Sequence, residues 1–225
     1  MKLIGEILAC CAIGYLLGSL SPSYFLGKRK GYDVRKDGSG NAGASNAFIL
    51  LGAKAFFLTT LLDIFKAFLA YRICGALFPD LSAAAALGGV ACILGHIYPF
   101  LLGFKGGRGL ASLGGVILGW RWKWFLLLLA FAIILAFATR YVCFVAPTVS
   151  VVFPLCYYWQ TGLLASTLVL LLAAVPIFIK HTENFARIRA GTEMRTSFIF
   201  DKEKELKRIG RWDPTTEEQL ERRGK

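Results

Sequence analysis

The polar segment over residues 33–47 has the composition of an anion-binding loop. Gly38, Gly40 and Gly43 alternate there with hydroxyl and amide side chains. Such a loop can turn several backbone N–H groups inward, and a helix N-terminus behind it favours phosphate. A flexible Gly/Ser connector is the alternative, but the cationic, hydroxyl and amide groups beside a hydrophobic segment favour an anion site. The candidate residues are Ser39, Gly40, Asn41, Ser45 and Asn46.

A second short segment, Lys105-Gly106-Gly107-Arg108, places two cations around two glycines. A phosphate can approach the glycine backbone while the cations neutralise its charge, the arginine through two parallel hydrogen bonds. The same pattern is also typical of a tight turn that carries the positive charges expected on the cytoplasmic side of a membrane. This motif alone does not separate the two interpretations.

A third group follows the last apolar block. His181, Asn184 and Arg187 are spaced at three-residue intervals, so a helix places successive members within about 60° of one another, and all three span about 120° of the helix surface. They can therefore line one site, although a solvated basic helix end gives the same pattern.

One pair of charges falls inside an apolar block. Asp63 and Lys66 are three residues apart and share one helix face, where an unpaired charge would be costly. We expect a structural ion pair; a proton path is the alternative, and the lack of further intramembrane carboxylates argues against it. His96 is expected to be a capping or packing residue. The six cysteines lack metal-ligand spacing, so we predict no metal and no cofactor.

The polar segments separate apolar blocks that have the length of membrane spans. Of the 225 residues, 56% are hydrophobic and 18% are charged, and a bilayer crossing takes roughly 20 residues. The run Trp120–Trp124 predicts an interfacial turn between two short blocks. We therefore predict an all-α integral membrane protein with seven transmembrane helices. The blocks are 3–27, 50–78, 82–102, 109–120, 122–139, 141–159 and 161–180.

The distribution of basic residues predicts the orientation of these helices. The formal net charge is +12, with 26 lysines and arginines. With the N-terminus outside, most of them fall in cytoplasmic loops and the C-terminus, as the positive-inside rule requires. The positive charge is then explained without a nucleic-acid partner, and it favours contact with anionic lipids and anionic substrates. We predict a membrane domain over residues 1–195 and a charged cytoplasmic tail over residues 196–225.

Taken in order, these motifs resemble the bacterial acyl-phosphate:glycerol-3-phosphate acyltransferases, the PlsY family. The resemblance implies seven spans with an external N-terminus. It also implies transfer of a fatty acyl group from acyl phosphate to glycerol 3-phosphate, which gives lysophosphatidic acid for phospholipid biosynthesis. The site would then lie at the cytoplasmic face of the cell (inner) membrane. The matching stretches are GSLSPSYFLGK (18–28), DVRKDGSGNAGASNA (33–47), LGAKA and DIFK (within 51–66), GHIYPFLLGFKGGRG (95–109), TRYV (139–142) and HTENFARIRAGTE (181–193).

The resemblance assigns roles to residues in all three polar segments. An acyl phosphate is already activated, so the protein mainly has to position two anions and stabilise the developing oxyanion. The catalytic residues would be Ser39, Asn41, Arg108, His181 and Asn184. The substrate-binding residues would be Gly40, Ser45, Asn46, Lys105, Gly106, Gly107, Cys143 and Arg187.

The chain departs from the usual family pattern at five positions. Arg108 stands in place of Lys, Ser45 of Thr, Ile49 of Arg, Cys143 of Ser and Ala67 of Gly. The first two keep the charge and the hydroxyl. Ile49 lacks the cation, and Cys143 is a weaker hydrogen-bond donor than serine. A non-enzymatic protein on the same fold is therefore the alternative, either a lipid-binding scaffold or a transporter of a phosphorylated solute. A transporter would be expected to show an internal repeat or paired broken helices, and the sequence shows neither.

Overall fold

The structure is a computed structural model that describes residues 1–210, and within this range it contains helices and no strand. Every predicted apolar block contains a helix. The α-helices of the described range are α1 (Lys2–Ser19), α2 (Pro22–Arg29), α3 (Ala44–Leu51), α4 (Ala53–Leu77), α5 (Ala84–Ile97), α6 (Leu110–Trp120), α7 (Trp122–Thr139), α8 (Val145–Thr161), α9 (Leu164–Leu172), α10 (Ala174–Arg189) and α11 (Lys202–Arg208).

Five helical segments of the described range are long and apolar enough to cross a membrane. Helix α4 is continuous over 25 residues, but its sequence contains several charged side chains. Helix α6 has only 11 residues, so neither helix is among the five. Helices α6 and α7 are separate, because Arg121 between them is extended, with φ −154° and ψ 125°. The predicted break between the two short blocks is therefore present, while its position at the membrane interface stays a prediction. The five segments are Lys2–Arg29, Ala84–Leu102, Trp122–Thr139, Val142–Thr161 and Leu164–Arg189.

The first apolar block is interrupted between α1 and α2, where Pro22 begins α2. The last carbonyl groups of a helix have no partner inside the helix. Here Lys66 Nζ donates hydrogen bonds to Gly18 O at 2.9 Å and to Leu20 O at 2.6 Å. A buried cation from α4 therefore caps the C-terminal end of α1.

The predicted ion pair between Asp63 and Lys66 is present, with Nζ and Oδ1 2.7 Å apart and both side chains buried. His96 at the end of α5 joins this pair. Its Nδ1 lies 3.2 Å from Lys66 Nζ and 3.3 Å from Asp63 Oδ1. The expectation of a capping or packing histidine was therefore incomplete, because His96 belongs to a buried polar cluster that joins α1, α4 and α5.

Glycines allow α1 and α5 to pack with their backbones in close approach. A Cβ on Gly18 would lie 2.1 Å from Cys92 O, and a Cβ on Gly95 would lie 2.3 Å from Tyr15 O. Small residues at membrane helix interfaces permit this kind of packing. Helix α1 is thereby fixed against α5, which leads into the second polar segment.

The close approach at Gly18 generates the first testable prediction. Gly18→Ala should destabilise the protein by about 1–3 kcal/mol, because the added methyl group meets rigid backbone and overpacking cannot relax cheaply. Gly5→Ala in the same helix is the matched control, since nothing lies within 4 Å of a Cβ there. Thermal unfolding in detergent would measure both variants. Equal melting temperatures for the two would contradict the packing argument.

Candidate active site

The three polar segments meet around a single cavity of about 600 Å³. Seven of the predicted site residues line it. Six others do not: Gly40, Asn46, Lys105, Gly106, Gly107 and Asn184. The predicted residues that line the cavity are Ser39, Asn41, Ser45, Arg108, Cys143, His181 and Arg187.

Asn46 folds the first polar segment into its shape. Its side chain is fully buried in the first turn of α3. Nδ2 donates to Val34 O at 2.9 Å and to Asp37 O at 3.0 Å, while Oδ1 accepts from Ser39 N at 2.8 Å. Both amide hydrogens and the amide oxygen are thus used inside the loop. Asn46 therefore positions Ser39 in this structure, whereas its predicted contact with substrate stays a prediction.

An ion pair stabilises the beginning of the same loop. Arg35 donates from Nε to Asp33 Oδ1 at 2.9 Å and from a terminal nitrogen to Asp33 Oδ2 at 2.8 Å. The Arg35 hydrogen bonds lower the pKa of Asp33 to about 2. The Arg35 guanidinium also lies 5.0 Å from the ring centre of Tyr24. This cation is occupied within the fold and is not free to neutralise a ligand.

The second polar segment packs directly on the end of α5. Gly106 N donates to Ile97 O at 3.2 Å and Gly107 N to His96 O at 3.0 Å. A Cβ on Gly107 would lie 2.1 Å from His96 Nε2. The N–H groups that we expected to cradle a phosphate are therefore already paired in this structure, and the glycines serve close packing. Gly106 O also accepts from Ala42 N at 3.3 Å, which joins the two loops.

Arg108 brings a positive charge into the cavity that is uncompensated in one sense: no carboxylate of the described residues contacts it directly. Its side chain is partly buried, and within residues 1–210 it forms neither a hydrogen bond nor an ion pair. Burial and the neighbouring Arg187 cation lower its pKa, and they outweigh the carboxylates of Glu193 and Glu183, which raise it without direct contact. A guanidinium nevertheless remains charged at neutral pH. A cation that is removed from water without a partner favours the binding of an anion. Lys105 beside it is exposed and does not reach the cavity.

Glu193 holds the side chains of the third segment in place. Its Oε1 accepts from Asn184 Nδ2 and its Oε2 accepts from Arg187 Nε, each at 2.7 Å. The chain folds back after α10 through hydrogen bonds from Thr192 N and Glu193 N to Arg187 O. Sequence reasoning missed Glu193 as a functional residue. Its presence in the HTENFARIRAGTE stretch was the available signal, but only the reversal of the chain brings it to Asn184.

His181 lines the cavity and uses one ring nitrogen in a hydrogen bond within its own helix. The carbonyl oxygen of Ile177 can only accept a hydrogen bond, and it lies 2.7 Å from His181 Nδ1. Nδ1 therefore carries a hydrogen, and Nε2 of the neutral ring is an acceptor. Because His181 lines the cavity, Nε2 can accept a hydrogen bond from a substrate hydroxyl group.

Apolar side chains from α3, α4, α6, α7 and α8 form most of the remaining cavity wall. Cys143 also lines it, from the short 3-10 turn Val142–Phe144, and Ile49 lines it from α3. Asp63 and His96 of the buried cluster contribute to the lining, which the sequence did not suggest. The apolar wall includes Phe48, Phe56, Phe57, Leu113, Ile117, Phe125, Leu128 and Leu129.

Comparison with known proteins identifies clear relatives. The family model described as glycerol-3-phosphate acyltransferase matches residues 8–191. A protein of that name from Mesorhizobium japonicum is 38% identical over 84% of this chain and 95% of its own length. Another from Lactiplantibacillus plantarum is 33% identical over 86% of this chain and 93% of its own length.

Two crystal structures of PlsY (YgiH), an integral membrane glycerol 3-phosphate acyltransferase, have a similar fold. The glycerol 3-phosphate form has a TM-score of 0.79 and 30% sequence identity, and the matched region covers 86% of this chain and 97% of the PlsY chain. The lysophosphatidic acid form has a TM-score of 0.75 and 31% identity, over 84% of this chain and 94% of that chain.

The hydrogen bonds of Asn46 generate the second prediction. Asn46→Ala should expose the amide of Ser39 to solvent, because the loop loses the three hydrogen bonds that the Asn46 side chain makes within it. Hydrogen exchange of peptides covering residues 34–40 should become at least about tenfold faster, in line with the loss of more than 1 kcal/mol of local stability. Asn41→Ala is the control, because the Asn41 side chain forms no hydrogen bond within residues 1–210. Unchanged exchange in Asn46→Ala would contradict the positioning role.

Proposed function

Since the chain belongs to the glycerol-3-phosphate acyltransferase family and is an acyltransferase, we propose that it moves a fatty acyl group from an acyl phosphate to glycerol 3-phosphate. The product is lysophosphatidic acid, an intermediate of phospholipid biosynthesis. The observation that carries this proposal is the uncompensated Arg108 cation in a cavity whose wall is otherwise largely apolar. A phosphate group complements the charge of the cation, and a fatty chain can pack against the apolar wall.

The reaction needs positioning more than it needs an activated protein nucleophile. The 1-hydroxyl oxygen of glycerol 3-phosphate forms a bond with the carbonyl carbon of the acyl phosphate, and the bond from that carbon to the phosphate oxygen breaks. The hydroxyl proton goes to a phosphate oxygen of the donor, so inorganic phosphate leaves. His181 Nε2 accepts the hydrogen bond of the hydroxyl group before attack and thereby orients it.

The charged and polar side chains around the cavity divide the remaining work. Arg108 neutralises phosphate and stabilises the negative charge that develops on transfer. The first loop contributes two hydroxyl groups and one amide to the cavity, from Ser39, Ser45 and Asn41. The hydrogen bond from Ala42 N to Gly106 O joins this loop to the second segment. Asn184 acts through Glu193, because its amide is held by that carboxylate.

The chemistry is best served by a site at the cytoplasmic face of the cell membrane. The first loop, the second segment and the turn after α10 all border one cavity, so they lie on the same side. They also carry many of the basic residues, which the positive-inside rule retains in the cytoplasm. Seven spans with an external N-terminus then place α6 as a short helix within the bundle.

Substitutions of Arg108 test the proposed function. Arg108→Ala should reduce kcat/KM by about 100-fold, because a donor in a water-excluded site stabilises the transition state strongly. Arg108→Lys should keep substantial activity, since the charge remains. Arg189→Ala is the control, because Arg189 is exposed on α10 and does not line the cavity. The assay is purified protein with acyl phosphate and labelled glycerol 3-phosphate, followed by detection of lysophosphatidic acid.

A wild-type protein that forms no lysophosphatidic acid above background, in detergent and in lipid, would refute catalysis. A lipid-binding role on the same fold would then replace it. Full activity of Arg108→Ala would leave catalysis standing and remove the assignment of Arg108.

Labelling of single cysteines tests the proposed orientation. In a variant that lacks the six native cysteines, Asp80→Cys should react with an impermeant thiol reagent in intact cells, because the turn between α4 and α5 is placed outside. Lys30→Cys should react only after permeabilisation. Both positions are exposed in the structure, so access depends on the side of the membrane. The opposite labelling pattern would reverse the orientation.

A further inference from the structure

The segment Met194–Gly210, which we name the C-terminal strap, lies beyond residue 191, where the family match ends. It consists of a 3-10 turn over Thr196–Ile199, helix α11 and the residues around them. The predicted charged tail began at residue 196. Within its residues 196–210, Thr196, Phe198 and Ile209 are buried and line the cavity, while residues 211–225 lie outside the described range. The strap residues that line the cavity are Met194, Arg195, Thr196, Phe198, Ile199 and Ile209.

Contacts at two places fasten the strap across the site. Thr196 N donates to Arg140 O at 2.9 Å, next to the turn that carries Cys143. Phe198 is 8% exposed, and its ring centre lies 5.7 Å from that of Phe48 on α3. The strap thus reaches from the end of α7 to the helix that follows the first loop.

Two charged residues of α11 fix the backbone of the strap at Arg195. Glu205 is 4% exposed and accepts from Arg195 N at 2.8 Å and from Ser197 Oγ at 3.0 Å. Arg208 donates to Gly191 O at 2.7 Å and to Glu193 O at 2.6 Å. These bonds hold the start of the Arg195 side chain at the cavity.

The Arg195 guanidinium itself has no partner among the described residues. Its Nε is buried and forms no hydrogen bond. Two carboxylates that the chain brings to this region are occupied elsewhere. Glu193 accepts from Asn184 and Arg187, and Glu205 accepts from Arg208 and from the strap backbone. A partly buried guanidinium that lines a cavity without a counter-ion favours the binding of an anion from outside the protein.

We propose that Arg195 binds the phosphate group of a substrate as a second cation beside Arg108. Arg187 lines the same cavity but is paired with Glu193, and Asp63 is paired with Lys66. The cavity therefore contains two uncompensated arginines, and the proposed reaction, on which this inference rests, brings two phosphate groups together. Arg195 serves either the phosphate of the acyl donor or that of glycerol 3-phosphate.

Steady-state kinetics with each substrate varied in turn test the proposal. Arg195→Met should raise KM by at least about tenfold for the substrate whose phosphate Arg195 binds, in line with the loss of one charge-assisted hydrogen bond. Arg195→Lys should recover part of that loss because it restores the charge. Arg189→Met, on the exposed face of α10, is the matched control and should behave as wild type. Glu205→Gln, which loosens the backbone of Arg195, should raise the same KM by a smaller factor.

Equilibrium binding separates this inference from the proposed function. Labelled glycerol 3-phosphate and the unreactive dodecyl phosphate would be bound to detergent-purified wild type, Arg195→Met and Arg189→Met. A loss of affinity for one of these ligands in Arg195→Met alone supports the inference, even if no variant shows transfer. Affinities and KM values of Arg195→Met within twofold of wild type for both substrates would overturn it. Thermal unfolding would confirm that the compared variants are folded.

Discussion

The site depends on the buried Lys66 cation. Its Nζ contacts the two carbonyl oxygens that the break after α1 leaves free, Asp63 one turn earlier in α4, and His96 at the end of α5. In an apolar environment each of these groups would be costly alone; the Lys66 cation offsets the charge of Asp63 and donates to the two carbonyl oxygens. His96 passes this constraint to the active site, because Gly107 packs on its ring and Arg108 follows directly. The position of Arg108, the proposed catalytic cation, thus depends on an ion pair that is distant in sequence.

Two classes of charge around the cavity have different purposes. Arg35, Lys66 and Arg187 each have a carboxylate partner and hold elements of the fold together. Arg108 and Arg195 have no such partner among residues 1–210. A paired charge helps to hold elements of the fold together, whereas an unpaired and partly buried cation favours the binding of an anion. Charge alone therefore does not identify a binding residue, and the assignment of each arginine depends on what its side chain contacts.

Several glycines and side-chain amides in the polar segments stabilise the fold of the site, through close packing and hydrogen bonds within the protein. Gly106 and Gly107 allow the second segment to approach His96 closely, and their N–H groups bond to carbonyl oxygens at the end of α5. Asn46 and Glu193 resemble each other in function, because each organises neighbouring groups without any need to touch a ligand. Substrate contact is then left to a smaller set of side chains that the cavity exposes. Such preorganisation spares the reaction the cost of arranging these groups during transfer.

The sequence alone determined the helical class, the apolar blocks, the Asp63 and Lys66 pair and the family, because period, length and ordered motifs are local properties of the chain. It also identified seven residues that line the cavity, through their clustering between apolar blocks. Only the tertiary structure showed that the Asn46 side chain makes all its hydrogen bonds within its own loop. It also showed that Glu193 holds the Asn184 amide and that His96 contacts the buried Lys66 cation. The strap and Arg195 were likewise invisible, since they lie beyond the matched motifs in a segment with the composition of a solvated tail. Whether a polar group is free or paired depends on partners distant in sequence, and folding alone brings those partners together.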